Sequence, residues 1–353
     1  MMEKLDIKKW TNLPLSDSTY WISKLALGTF KDYLYTKIGG DIVIYGSYRT
    51  GNVGDLAIGN VISKMLKKNL PFDSHMNGNI TWKQNLSKYQ YSILGGGQLY
   101  YSNTTNKKLK EIRNTTSLVL GVGIGYRYKK YEEELRYLEE SPVVTVRDNK
   151  SAERLICVFN KCKDDVKVTA CPGFLFDKII EEKKPSKIEG SIGVSIRDVK
   201  TKNRRDVLSF LKQNFKRLSK DYDLFFIPFT LMDIVFIKKY FKKYFKKILH
   251  LQNPEDTYHT IQQMEMMIPM RFHSSIFSLL AEKPMCILHY FEKMDDISND
   301  IGSSLHIEKI KGSEEMFFNK DKQKIRNIKE KYQKKAMINF DMINEYFKEV
   351  VLE

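Results

Sequence analysis

Residues 41–68 read "DIVIYGSYRTGNVGDLAIGNVISKMLKK". An apolar run of strand length, 41–47, enters a glycine-marked turn, and from residue 55 the apolar positions recur at helical spacing to 68. This is a strand–turn–helix unit, the building block of a parallel sheet covered by helices. Gly46, Gly51 and Gly54 allow a tight turn with close backbone approach. Asp55 stands where a phosphate-binding glycine loop would favour a bare amide or a cation.

The same alternation continues along the chain. "YSILGGG" (91–97), "SLVLGVGIG" (117–125) and "PVVTVRD" (142–148) read as extended, "YEEELRYLEE" (131–140) and "SAERLICVF" (151–159) as helical, and "VKVTACPG" (166–173) closes the first half. The charged stretch "IEEKKPSKIEG" (180–190) reads as a linker. Beyond it the plan restarts: strand "SIGVSIRD" (191–198), a helix burying Val207, Leu211, Phe215 and Leu218, and the apolar strand "DLFFIPF" (223–229). "MMIPMRFHSSIFSLLAEKPMCILHY" (266–290) reads as strand, turn, helix and strand, and a charged helical tail follows. The expected architecture is α/β: two Rossmann-like parallel-sheet domains, 1–182 and 190–320, facing a cleft, with a helical tail over 321–353. Open parallel sheets bind ligands beyond the carboxyl ends of their strands, so functional residues are expected just after the strands.

The 353 residues carry 59 Lys+Arg against 43 Asp+Glu, a formal charge of +16, which suits anionic partners. With 42% hydrophobic residues, the composition is that of a globular protein. Cys157, Cys162, Cys171 and Cys286 match no zinc spacing, and reduced thiols in the cytoplasm are the expected state. The N-terminus has no signal-length apolar core, and no run approaches the roughly 18 apolar residues of a membrane span. The chain therefore reads as soluble or peripheral. A Walker lysine pattern and a GxGxxG fingerprint with its downstream acid are both missing, which argues against a P-loop NTPase or a dinucleotide enzyme. No nucleic-acid recognition module is visible.

Four further groups carry chemical potential. Gly95, Gly96 and Gly97 end one strand, and Gly121, Gly123 and Gly125 occupy another; such turns offer amides to anions, or exist for geometry alone. Asp55 reads as a helix N-cap and also as a base at the cleft mouth. In "MRFH", Arg271 and His273 are expected to face the cleft while Phe272 points away. Arginine offers a fork to carboxylate or phosphate, and histidine moves protons near neutral pH. Arg147 and Arg197 each end a strand before an aspartate, as anion ligands or salt-bridge partners, and Asp148 reads as another N-cap.

Residues 236–248, "FIKKYFKKYFKKI", segregate aromatics from six lysines on a helical wheel. A core-facing helix with a solvated lysine face is the leading expectation. A helix lying on an anionic membrane surface is the alternative.

Together these segments resemble the polysaccharide pyruvyl transferase family. "GSYRTGNVGDLAIGN", "ILGGGQLY", "GVGIGY", "VTVRDNKSAERL", "IPFTLMD" and "IPMRFHSSIFSLLAEKPMCILHY" resemble that family's motifs, in its order, over about residues 41–295. Phe272 replaces the usual leucine, and Tyr126 stands where many members have proline. The resemblance implies a GT-B-like fold and transfer of a pyruvyl group from phosphoenolpyruvate to two hydroxyls of a sugar, as a cyclic ketal with release of phosphate. It places essential roles on Arg271 and His273; the mechanism expected from this has Arg271 bind the donor's carboxylate or phosphate and His273 pass a proton to the methylene carbon or to the departing phosphate, with Asp55 as the candidate base. Arg147, Asn52, Gly54, Gly96, Gly97 and Lys293 would be the other substrate contacts. No metal or cofactor is required by this scheme. The acceptor would be a sugar, in lipid-linked or other form, met in the cytoplasm or at the inner face of an anionic membrane. The competing expectations are a GT-B-like glycosyltransferase using a nucleotide-sugar donor and a non-catalytic binder of polyanionic or lipid surfaces.

Overall fold

The structure is a computed structural model that describes residues 40–46, 48, 51–70, 74–77, 89–99, 116–126, 128–131, 138–159, 165–183, 185–199, 201–311 and 314–352. The first half builds a seven-stranded sheet from β1 (Gly40–Tyr45), β2 (Ser74–Asn77), β3 (Tyr89–Gly95), β4 (Gln98–Leu99), β5 (Thr116–Ile124), β6 (Val144–Val146) and β7 (Lys167–Val168). Their order is β2-β1-β3-β5-β6-β7, with β4 also on β5, and every pairing is parallel. Burial on both faces explains why these strands read as unbroken apolar runs rather than alternating ones.

The turn after β1 leads into α1 (Val53–Asn69), whose inward stripe is Val53, Ala57, Ile58, Val61, Ile62, Met65 and Leu66. Lys67 and Lys68 in its last turn complement the helix dipole. On the other side of the sheet lies α2 (Asn149–Ile156), capped by Asp148, whose side chain accepts from Ser151 N at 2.8 Å.

From 181 to 190 the described residues form neither helix nor strand. The second half then builds β8 (Ser191–Ser195), α3 (Arg204–Leu218), β9 (Asp223–Phe226), α4 (Leu231–Tyr240), β10 (Lys247–Ile248), α5 (Pro254–Gln263), β11 (Met266–Pro269) and α6 (Phe272–Leu280). Its parallel sheet runs β10-β9-β8-β11. A two-stranded parallel pair, β12 (Ile287–His289) and β13 (Ser304–His306), flanks α7 (Asp295–Ile301) and touches β11 through the Met267–Met285 bridge. One apolar core runs unbroken from Ile42 and Ile44, through α1 and Phe174–Phe176, to β8, β9 and α6.

The last helix, α8 (Lys322–Leu352), is about 46 Å long at 1.5 Å per residue. It binds both halves. Lys329 Nζ donates to Leu280 O at 2.8 Å, and Tyr332 stacks on Phe174 at 4.6 Å. Further along, Asn339 reaches β6 and β7, and Phe347 meets Tyr91 edge-on at 4.9 Å. The helix serves as a strap across the two halves. Among the described residues, no helix is long and apolar enough to cross a membrane.

One expectation fails. Residues 236–248 are not a continuous helix: α4 stops at Tyr240, 242–244 form a single 3-10 turn, and Lys247 and Ile248 pair with β9 as an edge strand. Packing overrides the helical period here. Phe241 is buried against Phe215 at 5.5 Å, and Phe245 turns to meet Phe215 and Phe226 at 5.4 and 5.8 Å. Lys246 N and Leu249 N then donate to Leu224 O and Phe226 O along the edge. The single lysine face needed for a membrane-surface helix does not form. Most of the helix expected at 131–140 lies outside the described residues.

Candidate active site

The N-termini of α1 and α6, one from each half, meet at the seam. Asn52, not Asp55, caps α1: its side chain accepts from Gly54 N at 2.9 Å. Asp55 lies three residues on, in the first turn, where the Asn52 side chain hydrogen-bonds its carboxylate. Gly51 before the cap has φ +78°, in the left-handed region that suits glycine. Gly54 matters for a different reason. A Cβ there would fall 2.2 Å from Cγ and Nδ1 of His273, so only glycine lets the imidazole lie against the helix. His273 Nδ1 stands 3.9 Å from Asp55 Oδ1, and Nε2 stands 3.9 Å from Cys171 Sγ. The Asp55 distance is ion-pair reach, longer than a direct hydrogen bond.

Arg271 ends the turn before α6. Its Nε donates to Asp233 Oδ2 at 2.8 Å, and Nη2 to Asp233 Oδ1 at 2.5 Å and Thr230 Oγ1 at 2.9 Å. Asp233 also accepts from Phe229 N and Thr230 N, and Phe229 O accepts from Val53 N at 3.0 Å. The guanidinium is thereby anchored to the loop that holds the start of α1. Burial pulls its pKa down, but the charge and hydrogen bonds of Asp233 outweigh that and leave it above the ordinary arginine value. Its Nη1 group makes no hydrogen bond among the described residues and remains to meet a ligand.

Arg147 and Lys293 complete the cluster around Phe272. The Arg147 guanidinium lies 5.2 Å and Lys293 Nζ 5.9 Å from the Phe272 ring centre, both in cation–π range. Phe272 therefore does not point away from the site, as strand-like alternation implied. The helix starts at Phe272, successive side chains turn by about 100°, and residues 271–273 can share one end. Gly123 makes room for Arg147: a Cβ there would lie 2.1 Å from Nη2. Arg147 Nε meets Asp148 at 3.2 Å, and Nη1 donates to Gly97 O at 3.2 Å. Arg197 lies nearby, donating to Tyr290 Oη at 3.3 Å.

The expectation that glycine amides meet the ligand is corrected at two positions. Gly96 N donates to Leu120 O at 2.7 Å, and Gly54 N is held by Asn52. Gly97 contributes its carbonyl, accepting from Gly123 N and Arg147. These glycines build the chamber by letting β3, β4 and β5 close on one another; Gly96 and Gly97 have φ +60° and +76°.

Burial shifts His273, Asp55, Lys293 and Cys171. It holds His273 well below the usual imidazole range, reinforced by Lys293, Arg147 and Arg271. It lifts Asp55 to about 6, against the pull of those three cations. It lowers Lys293 to about 7, with Arg147 adding to the effect and Asp55 opposing it. It pushes the Cys171 thiol up to about 11, so that side chain stays protonated. Groups that change charge near neutrality, held beside fixed arginines, suit proton transfer on a bound anion.

Sequence reasoning named Asp55, His273, Arg271, Arg147 and Lys293, and the fold brings all five together. It missed Asp233, Thr230, Phe272 and Cys171 as members. "TLMD" (230–233) carried a readable helix-start signal, but nothing local shows that its aspartate anchors an arginine 38 residues away. Cys171 precedes Pro172 and Gly173 at the end of a strand, a position that could have flagged it.

A family model described as polysaccharide pyruvyl transferase matches residues 52–290. No curated protein matches the sequence. Among solved structures, the chain is similar to UDP-GlcNAc 2-epimerase from Neisseria meningitidis bound to UDP-GlcNAc, with TM-score 0.54 and 10% identity over 88% of this chain and 99% of that one. It is also similar to S. aureus MnaA with UDP, at TM-score 0.53 and 11% identity over 85% and 90%. The Methanocaldococcus jannaschii UDP-GlcNAc 2-epimerase gives TM-score 0.52 and 10% identity over 84% and 93%. At these identities the likeness is one of fold, and the fold is GT-B-like.

Proposed function

The chain belongs to the polysaccharide pyruvyl transferase family, and from that premise we propose that it moves the pyruvyl group of phosphoenolpyruvate onto two hydroxyls of a sugar in polysaccharide synthesis. One observation carries the reading: an imidazole with a carboxylate at 3.9 Å sits among Arg147, Arg271 and Lys293. Such a site suits a small trianion that must be protonated and then attacked by a hydroxyl.

In this reading Arg147, Lys293 and the Nη1 edge of Arg271 take the donor's carboxylate and phosphate. In the unliganded site burial, reinforced by the cations, keeps His273 neutral. A bound trianion offsets their field and raises the proton affinity of both His273 and Lys293. His273 then delivers a proton to the methylene carbon, and the neighbouring carbon gains positive character. The first sugar hydroxyl attacks that carbon and passes its proton to Asp55. Phosphate departs, and the second hydroxyl closes the ketal. The protons balance: the two hydroxyl protons reappear as one on the new methyl group and one on phosphate.

The test is incubation with phosphoenolpyruvate and a panel of glycosides, following inorganic phosphate and the mass gain of a carboxyethylidene group. Phosphate release with that mass gain is the expected result. Release of a nucleoside diphosphate from nucleotide sugars, with phosphoenolpyruvate inert, would replace this reading with glycosyl transfer.

A further inference from the structure

Beside the reactive cluster lies a cavity of about 260 Å³ between the two halves. One wall is the start of α2, and the other is the 291–296 segment that carries Lys293. Arg147 and Lys293 line both this cavity and the reactive cluster, so the two spaces are contiguous.

The charges of the cavity fall into two sets. Lys150 pairs with Asp295 at 3.0 Å and with Glu292 at 3.7 Å, and Arg154 pairs with Glu292. Asp148 is engaged by Arg147 Nε at 3.2 Å and by Ser151. These pairs form the walls. Glu153 and Asp296 also line the cavity, and among the described residues they make no ion pair. Burial, then the charges of Asp148 and Asp300, raise the Asp296 carboxyl. At the inner end, the Arg147 side chain is only 4% exposed, and its Nη2 has no hydrogen bond among the described residues. Phe291 also lines the cavity, with Lys293 Nζ 5.8 Å from its ring centre and Tyr290 against it edge-on.

Apart from Arg147 Nη2 and Lys293, which adjoin the reactive cluster, and the amides of Gln98 and Asn149, the lining side chains without an ion pair among the described residues are the carboxylates of Glu153 and Asp296, which accept O–H donors and repel phosphate. An aromatic face suits the C–H side of a pyranose ring, and the donor anion already has its cations next door. Resting on the pyruvyl-transfer reading, we propose that this cavity is the acceptor subsite, and that it takes one neutral sugar unit through Glu153 and Asp296 while excluding anionic sugars and diphosphate linkers. Any charged carrier attached to the acceptor lies outside the cavity.

The experiment measures binding of methyl glucoside, methyl galactoside, methyl mannoside and methyl glucuronide to the intact protein by saturation-transfer NMR, at saturating phosphoenolpyruvate. Phosphoenolpyruvate affinity is measured separately by calorimetry. Glu153 and Asp296 are exposed, so Glu153→Gln and Asp296→Asn are not expected to disturb folding. The expected result is at least a fivefold loss of neutral-glycoside affinity in either variant, with phosphoenolpyruvate affinity within twofold of the parent. Asp296→Lys should shift preference towards the glucuronide. Glycoside affinities that ignore all three substitutions, or a glucuronide bound by the parent as tightly as the glucoside, would overturn the subsite. Failure of the pyruvyl reading looks different: phosphoenolpyruvate would not bind, while glycosides still bound and still responded to the variants.

Discussion

Asn339 and His273 are both buried polar side chains, and the fold treats them oppositely. Asn339, on the strap helix, has every polar atom engaged. Its Oδ1 accepts from Thr145 and Thr169, and its Nδ2 donates to Ala170 O at 3.0 Å and Ala336 O at 2.8 Å. His273 has its polar neighbours at 3.9 Å on both sides. A buried group with all its hydrogen bonds made stabilises a unique structure. A group left with one long hydrogen bond to sulfur and a carboxylate beyond hydrogen-bond reach keeps capacity for something that arrives later.

That contrast can be broken experimentally. The largest effect belongs to His273→Ala, expected to lower turnover by roughly 10²–10⁴-fold, the usual worth of a positioned acid–base group. Phosphoenolpyruvate affinity by calorimetry should move far less, and undiminished turnover would remove His273 from the mechanism. Next comes Gly54→Ala. The new methyl needs the space of the imidazole, so turnover should fall by about 10²-fold through misplacement alone. If turnover survives while a structure of the variant shows the ring displaced, close apposition to α1 is not part of the chemistry.

Asn339→Ala tests the other side of the contrast. It removes the four bonds of the amide and leaves Ala170 O without its side-chain donor, while Thr145 and Thr169 keep Val119 O and Val146 O, at about 1–3 kcal/mol. Thermal melting should register that loss, while kcat/KM of the remaining folded protein stays within about twofold, an allowance well under the tenfold that 1.4 kcal/mol would bring. A large kinetic effect with an unchanged Tm would reverse the roles assigned to the two residues.

The smallest effect is one of pH. In the proposed mechanism, donor binding is expected to raise the pKa of Lys293 from about 7. Its contribution to affinity is therefore full below about pH 7 and is lost as pH rises towards the liganded value. Calorimetry should show several-fold weaker phosphoenolpyruvate binding at pH 8.5 than at pH 6.5, with proton uptake visible from buffers of different ionisation enthalpy. Affinity that is flat over this range would mean that Lys293 does not face the donor.

Much of this was legible in the residues. The strand–turn–helix unit at 41–68 announced itself because a sheet buried on both faces leaves a continuous apolar run, and because α1 carries its stripe at helical spacing. Arg271, His273 and Asp55 were readable because strand ends in such sheets are where ligands meet the chain. What stayed hidden were contacts fixed by distant elements. Asp55 looked like a cap until Asn52 was seen to hold Gly54 N. Phe272 looked turned away until the helix was seen to begin at that residue. The lysine-rich 236–248 segment kept a helical period that Phe241 and Phe245 abandon for aromatic partners on α3 and β9. Asp233 could not be assigned to Arg271 without the fold.

The resting of His273 on Gly54 has a consequence for the molecule as a machine. In the proposed mechanism the proton donor and the base come from opposite halves of the polypeptide and are brought together only while the two halves touch. A slight parting of the seam disarms the pair without unfolding either sheet. In that mechanism, contact between the halves is itself a working part, alongside the imidazole.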